Sequence, residues 1–188
     1  MKNTGNTILI TGGGSGIGRG LAEAFYALGN QVIIAGRRKQ ALDETTAANP
    51  GMTSLRLDIE DPANVRSLAT EMAARYPALN VLINNAGIMR IEKLVAQQED
   101  LADAASTIAT NLLGPIRLTA ALLPLLQKQP RSVIMNVSSG LLCRWPQLPL
   151  IAPPRPASTP TRNRCAISYK GLRQKFSNSS LLMSLQTS

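Results

Sequence analysis

A glycine-rich loop follows the first apolar run of the chain. Residues 8–18 read ILITGGGSGIG, which is an apolar strand, a loop and the start of an amphipathic helix. Gly12 permits a tight turn, Gly16 lets the backbone approach a pyrophosphate, and Gly18 lets the helix pack closely on the strand. Backbone N–H groups at the helix N-terminus then face the phosphates. The segment predicts a dinucleotide-binding loop; the alternative is an ordinary glycine-rich turn between strand and helix.

Four more clusters of polar or glycine residues follow later apolar runs. They are Gly36–Arg37, Asp58, Asn84–Gly87 and Ser138–Ser139. Because ligands of open parallel sheets bind outside the carboxyl ends of the strands, these clusters are expected to share one crevice with the glycine loop.

Apolar strands alternate with helices along the first 140 residues. The predicted strands are 7–11, 31–35, 53–57, 81–84 and 132–137. The predicted helices are 16–28, 38–48, 62–76 and a long apolar helix over 102–128. Apolar strands without alternation are typical of a parallel sheet that is covered on both faces. With right-handed crossovers, the pattern predicts an α/β fold, a Rossmann-type doubly wound parallel sheet with strand order 3-2-1-4-5.

The composition excludes several kinds of site. The sequence has no histidine, which rules out a Ser-His-Asp triad, a Cys-His pair and a His-ligated metal. Cys143 and Cys165 lack metal-ligand spacing, so no metal is expected. The long apolar runs are interrupted, so no membrane-spanning helix is expected. The first residues lead directly into a strand without a signal peptide, which favours the cytoplasm.

The positive charge of the chain is concentrated beyond residue 140. Seven of the 20 Lys and Arg residues and none of the 11 acidic residues lie there, so the net charge is +2 before that point and +7 after it. These basic residues alternate with prolines and lack the interleaved aromatics of a nucleic-acid surface. The pattern therefore predicts no nucleic-acid partner.

Over residues 7–140 the chain resembles the short-chain dehydrogenase/reductase family. Four features carry the resemblance: TGGGSGIG at Thr11–Gly18, NNAG at Asn84–Gly87, Asn111 in the long helix, and NVSSG at Asn136–Gly140. The resemblance implies hydride transfer between a nicotinamide dinucleotide and the carbonyl or alcohol carbon of a small molecule. It also implies cofactor contacts from the following residues: Gly12, Ser15, Gly16, Ile17, Gly18, Asp58, Ile59, Asn85, Ala86 and Gly87. For Asp58, a cap on the next helix is an equal alternative.

The end of the second predicted strand indicates which dinucleotide is used. An acidic residue there would bind the ribose hydroxyls of NAD(H), but this chain has Gly36, Arg37 and Arg38. A guanidinium fork suits a 2′-phosphate, so the sequence favours NADP(H) over NAD(H), with Arg37 as the phosphate ligand. The alternative is that both arginines simply begin a solvated helix.

The resemblance implies catalytic roles for two residues of this chain, whereas two other catalytic residues of the family have no counterpart in it. Ser139 matches the serine that holds the substrate oxygen, and Asn111 matches the asparagine that fixes a water in the proton path. Ordinary alternatives are a polar residue on a helix flank for Asn111 and a turn residue for Ser138. The family's Tyr-x-x-x-Lys pair is missing, because its window at Leu148–Pro156 reads LPLIAPPRP. Catalysis is therefore expected to be impaired.

The departure from the family coincides with a change in composition. Residues 1–140 are predicted to be the NADP(H)-binding domain, and 141–188 an aberrant, basic, Pro-rich and poorly ordered tail that leaves the fold truncated. When the codons allowed for Cys143–Arg162 are read one base earlier, they permit the sequence LPLAPTAPYCATKAGIHSYT. This sequence contains the missing Tyr-x-x-x-Lys pair. A one-base deletion shortly after Gly140 is the favoured hypothesis, and a genuine Pro-rich linker with an independent tail is the alternative.

Loss of the C-terminal part affects the expected assembly and function. The long apolar helix would lose a partner helix, so a homo-oligomer is doubtful and marginal stability is expected. Besides an impaired oxidoreductase, the sequence allows a non-catalytic dinucleotide-binding or interaction protein, or an inactive remnant.

Overall fold

A computed structural model describes residues 3–89 and 101–138, together with the backbone of 182–186. Five parallel strands are β1 (Thr7–Thr11), β2 (Gln31–Gly36), β3 (Thr53–Arg56), β4 (Leu79–Asn84) and β5 (Val133–Ser138). They form a sheet in the order β3-β2-β1-β4-β5. The predicted α/β fold and strand order are confirmed.

Helices cover both faces of this sheet. They are α1 (Gly16–Ala27), α2 (Lys39–Ala47), α3 (Pro62–Arg75), α4 (Ala102–Ile108) and α5 (Gly114–Leu126). Successive strand side chains point to opposite faces, so Leu9 packs in one core cluster with α3 and α5, and Ile8 in another with α1. Every residue of β1 is buried, which explains why the strand reads as a continuous apolar run.

The helix over 102–126 contains an irregular turn that the sequence analysis did not predict. Between α4 and α5, Ala109–Leu113 is π-helical, and the Gly114 N–H donates to the Ala109 carbonyl. Pro115 follows at the start of α5 and has no N–H with which to close an α-helical bond to residue 111. The proline therefore accounts for the wider turn that carries Asn111.

The same stretch bears on the expectation that no helix spans a membrane. Among the described residues, Ala102–Leu126 reaches the length and mean hydropathy, 1.3, of a spanning helix. Length and composition alone are weak grounds for a span, since a core helix meets both. In this fold Leu118, Leu122 and Leu126 are buried in the core. Exposed apolar side chains lie elsewhere along the stretch, namely Ile108, Leu112, Leu113, Ile116 and Leu123.

A sixth strand lies within the segment 141–188 that the sequence predicts to be a poorly ordered tail. β6 (Leu182–Gln186) pairs antiparallel with β5. The segment LMSLQ contains no proline or glycine, and the outer edge of β5 offers unpaired backbone groups to a passing strand. The Pro-rich residues 146–160 lie outside the described residues.

Three asparagines join the amino ends of the strands, at the edge opposite the predicted crevice. The side-chain amide of Asn6 donates to Asn30 Oδ1 at 2.8 Å, and Asn6 Oδ1 accepts from Asn80 Nδ2 at 3.1 Å. Asn80 Oδ1 in turn accepts from the Thr7 backbone N–H at 2.9 Å. Asn80 belongs to β4, which starts at Leu79, two residues before its predicted start.

Candidate dinucleotide-binding site

The glycine loop is shaped by positions where a side chain cannot be accommodated. Gly12 has a φ of +69°, in the left-handed region that favours glycine. A Cβ on Gly18 would lie 2.3 Å from the Gly12 carbonyl oxygen and 2.4 Å from Asn85 Nδ2. At Gly16, by contrast, an added Cβ would meet nothing within 4 Å, so the backbone there borders open space. The loop is therefore closed on its inner side and open on its outer side.

The N-terminus of α1 faces this open space. Ser15 is the N-cap residue, and its side chain makes no capping hydrogen bond. The first turn of α1 contains no acidic residue. The unpaired N–H groups and the helix dipole of such a terminus attract an anion. Ser15 Oγ instead accepts from Arg38 Nη2 at 2.5 Å, which places a guanidinium at the mouth of the loop.

Thr11 ties the glycine loop to the segment after β4. Its fully buried hydroxyl oxygen accepts from the backbone N–H groups of Asn85 at 3.0 Å and Ala86 at 2.9 Å. The Asn85 side chain donates back to the Thr11 carbonyl at 3.0 Å. The loop motif TGGGSGIG includes Thr11 but gives no indication of this role. The sequence signal that could have indicated it is a hydroxyl directly after the apolar run Ile8–Ile10.

A cleft of about 340 Å³ lies along the carboxyl ends of the strands. It brings together most of the sequence-predicted cofactor residues: Gly12, Ser15, Ile17, Gly18, Arg37, Ile59, Asn85, Ala86 and Gly87. Arg38, Ile88 and Thr110 also line it, and none of these three was assigned a cofactor role from the sequence. Polar backbone and guanidinium groups therefore share the cleft with apolar walls, which suits a ligand that carries both phosphates and rings.

The two arginines after β2 have different partners. Arg38 reaches the glycine loop, whereas Arg37 Nη1 lies 3.4 Å from Glu60 Oε1. The same Glu60 oxygen accepts a hydrogen bond from the Thr110 hydroxyl. Helix α2 begins at Lys39, so neither arginine lies within the helix. Both arginines line the cleft. Arg38 is also the N-cap residue of α2, so it does begin that helix, whereas Arg37 precedes it.

The turn after β3 places Ile59 in the cleft wall and Asp58 behind it. Asp58 Oδ1 accepts from the Glu60 N–H at 3.1 Å, and the Asp58 N–H donates to Asn64 Oδ1 at 2.6 Å. Asp61, rather than Asp58, caps α3 by accepting from the Ala63 N–H at 2.8 Å. The helix-cap alternative for Asp58 is therefore wrong; its carboxylate stabilises the turn instead.

Asn111 fixes the backbone at Ile88, which lines the end of the cleft after the NNAG segment. Its Oδ1 accepts from the Ile88 N–H and its Nδ2 donates to the Ile88 carbonyl, both at 2.8 Å. This two-point contact joins the π-helical turn to the segment after NNAG, so Asn111 is more than a polar residue on a helix flank. The other predicted catalytic residue, Ser139, lies outside the described residues.

A part-buried polar contact links β4 to β5 near the same edge. Asn84 Nδ2 donates to Asn136 Oδ1 at 2.9 Å and to Thr119 Oγ1 at 3.2 Å. Asn84 Oδ1 is buried and has no hydrogen-bond partner among the described residues. Within the described ranges no three His, Cys, Asp or Glu side chains are grouped so that they could hold a metal ion.

Fold, loop and cleft together define an α/β protein with a dinucleotide-type cleft, and the comparisons identify its family. The model of the short chain dehydrogenase family matches residues 6–144. The chain belongs to this family, whose members are oxidoreductases that use NAD(P)(H) on small molecules.

Individual relatives agree with the family match. The uncharacterized oxidoreductase DltE of Bacillus subtilis is 40% identical over 141 residues, which cover 75% of this chain and 56% of DltE. A crystal structure of a short-chain dehydrogenase from Streptomyces avermitilis has 35% identity and a TM-score of 0.67, covering 72% of this chain and 49% of that one. The RhlG/NADP complex of Pseudomonas aeruginosa has a TM-score of 0.73 at 24% identity, covers 79% of this chain and 60% of that one, and shows the shared fold. The chain thus spans about half the length of DltE and of the Streptomyces enzyme.

Proposed function

We propose that this chain binds NADP(H) in preference to NAD(H), as an oxidoreductase of its family whose catalytic step is impaired. The observation that carries the preference is the pair of guanidinium groups, Arg37 and Arg38, that line the cleft after β2. No carboxylate follows β2 directly, where one would bind the ribose hydroxyls of NAD(H). Arg38 at the glycine loop adds a second cation to the one that the sequence pattern favoured.

The described residues provide binding and orientation for such a cofactor. The N-terminus of α1 would bind the pyrophosphate, Ile59 would contact the adenine, and the segment after β4 would hold the nicotinamide ribose. When bound, the dinucleotide supplies the hydride acceptor or donor for a carbonyl or alcohol substrate. Asn111 fixes the backbone at Ile88 and so shapes the cleft wall at that end.

Proton transfer is the step that this chain lacks. The Tyr-x-x-x-Lys pair expected after Ser139 is absent from Leu148–Pro156. A positioned general acid or base contributes about 10²–10⁴-fold to the rate. We therefore expect turnover to be lower than that of an intact relative by at least about that factor.

The proposed cause is a one-base deletion in the coding sequence shortly after Gly140. The family match stops at residue 144, just before the proline-rich run that starts at Pro146. An independent read of the gene around codons 139–145 tests this origin. A confirmed intact frame that related genes share would refute it and favour a genuine divergent tail.

Titration of the full chain with NADPH and with NADH, followed by nucleotide fluorescence, tests the proposed function. We expect saturable binding, tighter for NADPH, together with negligible reduction of a panel of aldehydes and ketones. A folded chain without affinity for either nucleotide would contradict the proposal, and rapid reduction would contradict the impairment. A matched chain with the restored reading frame is the positive control and is expected to reduce at least one carbonyl of the panel.

A non-catalytic dinucleotide-binding protein is the second candidate. Two observations together favour it. Arg37 and Arg38 line the cleft beside the glycine loop, whereas the Tyr-x-x-x-Lys pair that would transfer a proton is absent from Leu148–Pro156. The restored-frame chain separates the two, because an oxidoreductase ancestor predicts recovered turnover and a binding protein predicts binding alone.

A further inference from the structure

Glu60 is a carboxylate at the edge of the proposed phosphate site that no cofactor contact explains. Its side chain is 29% exposed and shares an ion pair with Arg37, whose side chain is 52% exposed. Arg37 lines the cleft, as do Ile59, the residue before Glu60, and Thr110, which donates to the Glu60 carboxylate. A negative group is therefore paired with the cation that a 2′-phosphate would need.

Several contacts hold Glu60 in place. Its carboxylate accepts from the Thr110 hydroxyl, and its backbone carbonyl accepts from Arg117 Nη1 at 3.4 Å. The neighbouring Ile59 is packed so closely on the long helix that a Cβ on Gly114 would lie 2.7 Å from Ile59 Cγ1 and 3.0 Å from its carbonyl oxygen. Since the backbone around Glu60 cannot easily withdraw, Arg37 is the movable partner of the pair.

We propose that Glu60 is a specificity-determining residue that competes with the 2′-phosphate of the cofactor for Arg37. This inference rests on the proposed NADP(H) function. NADPH must take Arg37 away from Glu60 and must place its phosphate near that carboxylate. NADH has a hydroxyl in this place and meets neither cost. Glu60 therefore lowers the ratio of NADPH affinity to NADH affinity that the two arginines produce.

The substitution Glu60→Gln tests this competition with little structural change. The glutamine keeps an oxygen that can accept from Thr110 and removes only the charge. Loss of one partly exposed ion pair corresponds to about a threefold to fivefold gain in NADPH affinity. NADH affinity is expected to change less than about twofold, because its ribose carries no charge to compete for Arg37. Dissociation constants are measured by nucleotide fluorescence at low salt, with thermal unfolding of each variant as the check on folding.

Two further measurements separate this role from a structural one. The NADPH gain is expected to shrink in 0.5 M salt, about where the screening length falls to a few ångströms. It is also expected to be smaller in the Arg37→Ala background, since competition for Arg37 is then removed and only repulsion between the Glu60 carboxylate and the phosphate remains. The matched control is Glu71→Gln, which removes the carboxylate of another exposed Arg–Glu pair, Arg75–Glu71, on the outside of α3. That variant is expected to leave both affinities unchanged.

The outcomes distinguish this inference from the proposed function. A wild-type chain that prefers NADPH, with an unchanged NADPH/NADH ratio in Glu60→Gln, would overturn the role of Glu60 alone. A gain of undiminished size in the Arg37→Ala background would also overturn it. A folded wild-type chain that binds neither nucleotide would overturn the proposed function and this inference together.

Discussion

The two halves of the cleft are built in different ways. Around the glycine loop, the buried Thr11 hydroxyl and the half-buried Asn85 side chain make hydrogen bonds to the backbone, and Gly12 and Gly18 leave no space for a side chain. After β2 and β3, the exposed Arg37 and the half-buried Glu60 form an ion pair near the surface. The first half therefore depends on the fold itself, whereas the second can be altered by single charge changes without loss of the fold.

The largest expected effect is that of Gly18→Ala in the glycine loop. The new Cβ would lie 2.3 Å from the Gly12 carbonyl oxygen, so the backbone of the loop must shift. We expect a loss of about 1–3 kcal/mol in the free energy of unfolding, typical of overpacking. NADPH affinity is expected to fall by at least about 100-fold, because the N–H groups lose their alignment. Urea unfolding and fluorescence titration measure the two quantities.

Gly20→Ala is the matched control for this substitution. Gly20 lies in the same helix, and a Cβ there would meet nothing within 4 Å. Helix propensity predicts a gain of about 1 kcal/mol in stability. Equal losses in the two variants would contradict the idea that close packing at Gly18 shapes the loop.

Thr11→Val is expected to have the next largest effect, mainly on stability. Valine has nearly the shape of threonine but leaves the Asn85 and Ala86 N–H groups without their acceptor. Burying unsatisfied donors costs about 1–3 kcal/mol each, so urea unfolding is expected to show a loss of at least that size. Thr70→Val, at an exposed hydroxyl on α3, is expected to change stability by less than about 0.5 kcal/mol. Similar changes in the free energy of unfolding for both variants would show that the Thr11 hydroxyl does not stabilise the site through its hydrogen bonds.

Arg38→Ala tests the charged half. We expect NADPH affinity to fall about tenfold, because a charge-assisted contact with the phosphate is lost, while NADH affinity changes little. The melting temperature is expected to stay within about 2 °C, since the side chain lies on the surface. Lys39→Ala removes the adjacent exposed cation, which pairs with Asp43 on α2, and serves as the control. A parallel fall in affinity for both nucleotides would place Arg38 at the pyrophosphate rather than at the 2′-phosphate.

Asp43→Asn is expected to have the smallest effect of the series. It breaks the exposed Lys39–Asp43 pair on the outer surface of α2. Such pairs contribute about 0.3–0.5 kcal/mol, so neither urea unfolding nor nucleotide titration should show more than a marginal change. A clear effect on affinity would mean that charges beyond the cleft also determine the preference.

The sequence predicted the framework of the molecule well, because local patterns determine it. Apolar runs and the glycine loop placed β1 and α1 within one residue of their observed bounds. The family motifs likewise placed most cofactor residues at one edge of the sheet.

Contacts between distant residues escaped prediction. Glu60 and Thr110 are 50 positions apart, and nothing in either neighbourhood indicates that their side chains meet. The π-helical turn depends on Pro115, whose signal was present but was treated as part of one long apolar helix. Segment β6 pairs with an edge that becomes available only after the sheet has formed, so its local composition gave no indication of a partner.

The asparagine cluster at the amino ends of the strands has a practical consequence for anyone who expresses this protein. Asn6 joins Asn30 to Asn80, and thereby the turn before β2 to β4, through side-chain bonds of 2.8 and 3.1 Å. A shortened clone that starts after Asn6 would lose these hydrogen bonds even though every residue of the nucleotide cleft is retained. Purification tags and cleavage scars therefore belong upstream of Asn3, where they leave these hydrogen bonds intact.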